Sequence, residues 1–260
     1  MIDYSFTYGD LEFFLCILVR VLSFIYVAPV FSQRGIPNQV KIGLGIFMSA
    51  LLYGVIPVKP QLEYYSVWGY AVIIARETLT GLLIGYSASI CNNIVDFAGR
   101  IMDMESGLSM ANLMDPTTGQ MSSMSGILYQ YAFMLMLLLS GMHRYILRAL
   151  ADTFTLIPVG GAIFDWDRLL QSIITFMGDY VSIGFRICLP MFAVMILMNA
   201  VLGIMAKVSP QLNMFAVGMQ IKVLVGLCVL FLTAGMLPDV SNFIFTEMKT
   251  MMNVFVGDMM

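Results

Sequence analysis

Apolar runs separated by short polar breaks set the layout of the chain. The first runs from Leu11 to Phe31, with Arg20 in its middle, and is long enough to cross a bilayer as a helix. Arg34, Gly35, Pro37 and Asn38 then mark a turn. The next run, Ile42–Ile56, would cover only roughly 22 Å as a helix, short of the hydrocarbon core. Gly43 and Gly45 weaken it and Pro57 ends it, so it predicts a half-helix or a helix held by neighbours. A loop with Lys59 and Pro60 leads to a long helical stretch from Tyr64 to Met104. Ala71 and Ala75, then Gly81, Gly85 and Ser89, recur four apart along it, which puts small residues on one face open to another backbone. From Asn92 the stretch turns polar (Asn93, Asp96, Arg100, Asp103, Glu105), which predicts that it leaves the apolar region there.

Beyond a central break, Ile127–Met142 is apolar again, and His143, Arg144, Arg148 and Asp152 follow on what the pattern predicts is the same helix. Pro158, Gly160 and Gly161 form a turn, and Asp165 and Asp167 suit the cap of a new helix. The run Leu169–Ala206 is too long for one plain span, so Gly184 and Pro190 predict a kink or two segments, with Arg186 near that break. A turn at Pro210–Asn213 precedes the last long run, Met214–Leu237. There Lys222 lies four residues after Gly218 and four before Gly226. The tail after Pro238 is mildly amphipathic. The whole predicts an all-α, polytopic membrane protein with kinked helices.

The longest interruption of apolar character is the stretch Glu105–Gly126. It is rich in Gly, Ser and Thr, contains Asp115-Pro116, and carries Met110, Met114, Met121 and Met124. It is either a surface connector whose methionines fill gaps or a deformable seal across a pore, since the flexible thioether side chain repacks around varied shapes.

Composition narrows the class. Of 260 residues, 60% are hydrophobic and 11% charged, where soluble domains carry about 25% charged residues. The net charge of −3 points to no nucleic-acid partner. Asp3, Asp10 and Glu12 stand where a cleavable signal would be basic. Cys16, Cys91, Cys188 and Cys228 are scattered within apolar runs, as small core residues would be. The single histidine, His143, excludes an HExxH metal site, and no phosphate loop or GxSG motif is present. No cofactor is expected. Arg20, Arg76, Glu77, Arg186 and Lys222 lie inside apolar runs, where a lipid-facing charge costs at least about 2.5–3.5 kcal/mol. They must meet one another, a partner or water. Glu77 shares a face with Gly81, and Arg76 beside it points elsewhere, so the two are not expected to pair with each other. With six spans and the N-terminus outside, the basic residues divide four inside against five outside, which is no positive-inside bias.

An ordered set of features resembles the FliR/SctT family of type III secretion export-gate proteins over nearly the whole chain. It comprises Arg20 with Ala28-Pro29-Val30-Phe31, Ile36-Pro37 with Lys41, and Arg76-Glu77 with Gly81 and Gly85. Gly107 leading to Asp115-Pro116-Thr117-Thr118-Gly119 continues it, then His143, Pro158, Leu189-Pro190, and Pro210–Asn213 with Lys222. At Ser140-Gly141-Met142-His143 the family often has Asn-Gly before the His. The resemblance implies helical hairpins, with residues 1–165 FliP-like and residues 166–260 FliQ-like, assembled with FliP, FliQ and FlhB largely on the periplasmic side of the membrane plane. It implies a pore for unfolded flagellar proteins, plugged by Gly107, Leu108, Met110, Leu113, Met114, Asp115, Pro116 and Gly119, with Gly107 and Gly119 as hinges. It further implies inter-subunit contacts at Arg76, Glu77 and Lys222. A virulence injectisome subunit and a secondary transporter binding a small solute at the buried charges are the rival functions. The transporter predicts internal repeats, of which only the echo between the glycine faces of Glu77 and Lys222 is visible.

Overall fold

The computed structural model describes residues 8–33, 35–56, 64, 66–111, 113–114, 121–209 and 214–260. For residues 110, 111, 113, 114, 121, 122 and 214–216 it describes the backbone alone. Among the described residues eight helices follow in order: α1 Tyr8–Val27, α2 Asn38–Val55, α3 Val67–Ser106, α4 Met124–Leu139, α5 Met142–Leu156, α6 Trp166–Val208, α7 Met214–Thr233 and α8 Leu237–Gly257. A 3-10 turn at Ala234–Met236 links the last two. The only extended pairing among the described residues is a two-residue ladder between β1, Leu113–Met114, and β2, Met121–Ser122. The fold is all-α, as the pattern predicts.

Three boundaries differ from the sequence expectation. α5 is a separate helix, because Gly141 takes a left-handed φ of 72° that ends α4 and starts a kinked pair. α6 is one helix of 43 residues with Pro190 inside it, so the two-segment alternative does not hold. The assumed six spans become three helices long and apolar enough to cross a membrane among the described residues, or four if the kinked pair counts as one. The runs that drop out are α1, which carries Asp10, Glu12 and Arg20 in its 20 residues, and α2, whose 18 residues include Asn38, Gln39 and Lys41.

The chain divides into two compact units. The first runs up to Ile90 and includes Gly141–Thr175 and Glu247–Met260; the second is Cys91–Ser140 with Phe176–Thr246. Residues 165 and 166 both fall in the first unit, and α6 begins at Trp166, its amide-rich first turn capped by Asp165 through a bond from the Arg168 N–H at 3.2 Å.

In the first unit α1 buries the stripe Phe13, Cys16, Ile17, Arg20, Val21 and Phe24. α2 packs on it through a narrow face of Lys41, Gly45, Ser49 and Leu52, while Ile46, Phe47 and Leu51 stay exposed. Burying the small and polar face while presenting the large apolar one inverts the pattern of a water-soluble helix and suits an apolar surround. One end of α1 carries polar pairs that no pattern flagged. Tyr53 donates to Asp10 at 2.9 Å, Tyr64 to Glu12 at 2.5 Å, and Tyr70 to the Glu12 carbonyl at 3.2 Å. The bond to Glu12 raises the Tyr64 pKa above its ordinary value. The C-terminus closes the unit: the Ile163 N–H donates to the Met259 carbonyl, and Ser172 donates to the Asp258 carboxylate at 2.5 Å.

In the second unit Phe97 contacts the rings of Tyr180 and Phe185, and Phe133 contacts Phe245. Tyr129 shares a hydrogen bond with Thr233 at 2.7 Å. Cys16, Cys91 and Cys188 are buried, whereas Cys228 is exposed on α7, contrary to its expected place in a core.

Candidate functional site

The first candidate is a buried ion pair in the first unit. Arg20 on α1 and Glu77 on α3 are each 0% exposed. The guanidinium grips the carboxylate with two bonds, Nε to Oε2 at 2.5 Å and Nη2 to Oε1 at 3.0 Å. Its remaining Nη1 donates to the carbonyls of Thr153 and Ile157, at 3.4 and 3.0 Å, at the end of α5; the Thr153 carbonyl also accepts the Ile157 N–H at 2.8 Å. The Phe154 ring lies under the guanidinium, 4.4 Å from centroid to Cζ. Glu77 Oε1 also accepts from the Gly160 N–H at 2.8 Å. The pair thus joins α1, α3, the end of α5 and the turn after it. Such satisfaction is what makes a buried charge pair tolerable.

Two glycines permit it. A Cβ on Gly81 would collide with the Arg20 carbonyl and the Ser23 hydroxyl, and one on Gly85 would sit 3.0 Å from the Phe24 carbonyl. α3 therefore approaches α1 at backbone distance, close enough for the side chains one turn away to meet. Glu77, which the resemblance puts at a contact between subunits, has both oxygens engaged within the chain. The other charges are placed differently. Arg76 is exposed, and Arg186 is exposed with the Phe243 ring 5.7 Å away. Lys222 is half-buried and lines a cavity of about 280 Å³ with Glu105, Asn199, Gly107 and Gly218. Gly218 packs on Leu202, and a Cβ on Gly226 would press on Ser106 and Met195.

The second candidate is the central loop. Gly107 ends α3 at φ 83°, a 3-10 turn spans Leu108–Ala111, and the strand ladder pairs Leu113 with Ser122 and Met114 with Met121. Leu108 is 8% exposed and anchors the loop's start. Asp115, Pro116 and Gly119, and the side chains of Met110, Leu113 and Met114, lie outside the described residues.

What holds the loop's ends was not legible in the sequence. Asp103, expected on a helix leaving the apolar region, is 0% exposed. Its carboxylate accepts from the Ser125 backbone N–H, at 3.1 Å to Oδ2, and from the Ser125 hydroxyl. An anion there meets the free N–H groups at the start of α4. Ser123 caps the same helix, accepting from the Gly126 N–H at 2.9 Å. A Cβ on Gly99 would overlap the Gly126 backbone, so α3 and α4 touch main chain to main chain. The serines before an apolar run signal a cap, but nothing local pointed to Asp103 as their partner. Asp103→Ala removes the acceptor for a buried N–H and should cost about 1–3 kcal/mol. Limited proteolysis checks it: the variant should be cut within residues 107–122 faster than the parent, and equal rates would count against the clamp.

Long apolar helices, ionised groups neutralised within the core and glycine-mediated helix contacts define an α-helical membrane protein. The chain belongs to the bacterial export proteins, family 1, whose family model matches residues 11–248. It is similar to the flagellar biosynthetic protein FliR of Pectobacterium carotovorum subsp. carotovorum, at 30% identity over 233 residues, 88% of this chain and 87% of that one. Similarity extends to FliR of Bacillus subtilis strain 168, at 29% over 245 residues and 93% of each chain. FliR of Escherichia coli strain K12 is 26% identical over 249 residues, 93% of this chain and 92% of that one.

Proposed function

We propose that the protein is a non-enzymatic structural subunit of the flagellar type III protein-export gate. With FliP, FliQ and FlhB it forms the pore through which unfolded flagellar proteins cross the bacterial inner membrane, the assembled core lying largely on the periplasmic side. Residues 1–165 take the place of a FliP-type chain and residues 166–260 that of a FliQ-type chain. In the closed pore the central loop, Gly107, Leu108, Met110, Leu113, Met114, Asp115, Pro116 and Gly119, is the plug, with Met110, Leu113 and Met114 as its seal and Gly107 and Gly119 as its hinges. The supporting observation is the frame around that loop. Asp103, Ser123, Ser125 and the Gly99–Gly126 contact fix both ends, while the intervening sequence is rich in methionine, whose side chain repacks around whatever passes. The names of the relatives favour flagellar over virulence use.

The test is ion conductance of cells making the whole export apparatus with Met110–Asp115 deleted. A large new leak with the complex assembled is the expected result. A tight membrane with export lost would assign the loop to recognition or assembly and overturn the plug.

A further inference from the structure

A cavity of about 560 Å³ in the first unit, between α5 and the end of α8, joins charged groups to an apolar wall. Its size lies within the roughly 300–1,000 Å³ of small-molecule sites. Arg148 and Asp152 on α5 and Asn253 on α8, all exposed, supply its polar side. Tyr145 completes that side, and the Lys249 ammonium rests 5.0 Å from the centre of its ring. The wall is made by Ile84, Met252 and Val256, each buried. Arg148 and Asp152 are one turn apart on one face of α5, with about 5–6 Å between Cβ atoms. Among the described residues no ion pair joins them or ties either to another side chain. The cavity therefore offers a cation and an anion side by side, with no net charge from the two.

The surroundings place this cavity at the edge of an apolar region. α2 turns Ile46, Phe47 and Leu51 outward, as a helix against lipid tails would. α5 buries Ile146, Leu150 and Phe154 and turns Arg144, Arg148 and Asp152 outward. Charges among lipid tails are costly, so that outer face belongs beside headgroups or water. Ile84 in the wall lies about two turns before α3 becomes polar at Asn92. We infer that the cavity holds a phospholipid whose headgroup carries a primary ammonium, a phosphatidylethanolamine. The Arg148 fork donates to two phosphate oxygens, and the Asp152 carboxylate accepts from the ammonium. The glycerol end of the acyl chains lies along Ile84, Met252 and Val256. A free phosphate would use Arg148 but would be repelled by Asp152 and leave the apolar wall uncovered. A lipid with a purely anionic headgroup meets the same repulsion.

This inference rests on the first unit and not on the plug, so it and the leak measurement can fail separately. The test uses the complete export apparatus in vesicles that contain a photoactivatable phosphatidylethanolamine or, at the same share, the corresponding phosphatidylglycerol. The reactive group sits near the glycerol in both. Illumination should attach the ethanolamine lipid to residues 145–156 or 252–257, several-fold more than the glycerol lipid. Arg148→Leu should cut that adduct at least tenfold. Asp152→Asn should lower labelling by the ethanolamine lipid alone, which abolishes the preference. No adduct at these residues, equal labelling by the two lipids in the parent, or a yield indifferent to Arg148→Leu would overturn the proposal. Loss of the adduct in excess inorganic phosphate would assign the cavity to a free anion and overturn it as well. Both substituted side chains are exposed, so the variants should accumulate. Should either not, the preference between the two lipids in the parent decides.

Discussion

Glu77→Ala is expected to cost about 3–5 kcal/mol, the range for removing one partner of a buried ion pair. The Arg20 guanidinium would remain at 0% exposure with only the two α5 carbonyls and the Phe154 ring. The Gly160 N–H would lose its acceptor as well. Whole domains are stable by about 5–15 kcal/mol, so the chain should accumulate poorly and melt far below its parent in detergent. Glu77→Gln keeps an acceptor for Gly160 and for part of the fork and should fall between. The double variant Arg20→Met with Glu77→Leu leaves no buried charge and should regain part of the loss, because the two changes are not additive. Recovery stays partial, since the Ile157 carbonyl and the Gly160 N–H lose their partners, while the Thr153 carbonyl keeps the Ile157 N–H. A Glu77→Ala protein within about 0.5 kcal/mol of its parent, the scale of a surface change, would refute the role of the pair.

Gly81→Val should be about as damaging, by a different route. The new Cβ would meet main-chain atoms of Arg20, which cannot swing aside as a side chain does. α1 and α3 would have to separate, at or above the upper end of the roughly 1–3 kcal/mol seen for overpacked cores. Separation also draws Arg20 from Glu77, so Gly81→Val and Glu77→Ala together should cost less than their sum. Gly43 is the control. A Cβ there meets nothing within 4 Å, so Gly43→Ala on α2 should be neutral or stabilising by roughly 0.5–1 kcal/mol through helix propensity. Melting of the detergent-solubilised variants compares them. Equal behaviour of the two glycines would remove the argument for close approach at Gly81.

Much of this was legible in the chain, and the rest was hidden for physical reasons. Five charges stood out because an apolar run makes each one conspicuous. That Arg20 answers Glu77, 57 positions away, was not visible, since any of the charges could have met another chain or water. The glycine spacing around Gly81 marked a face for close packing but not the helix that would fill it. Asp103 looked like one of several polar residues on an emerging helix, because its partner Ser125 lies across the loop, 22 positions on. The tyrosines that meet Asp10 and Glu12 escaped notice for the same reason.

The sequence alone determined what short-range forces determine. Apolar periodicity, glycine and proline breaks and capping residues settle class and membrane character, because each acts within a few residues of itself. Even there, Gly141 ended a helix that hydropathy alone would have continued, since a left-handed backbone is a matter of conformation and not of polarity. Only the tertiary structure decided which charges are neutralised inside the chain and which, like Arg76, are left at its surface. Those pairings depend on backbone approach between residues tens of positions apart, and no local pattern encodes that distance.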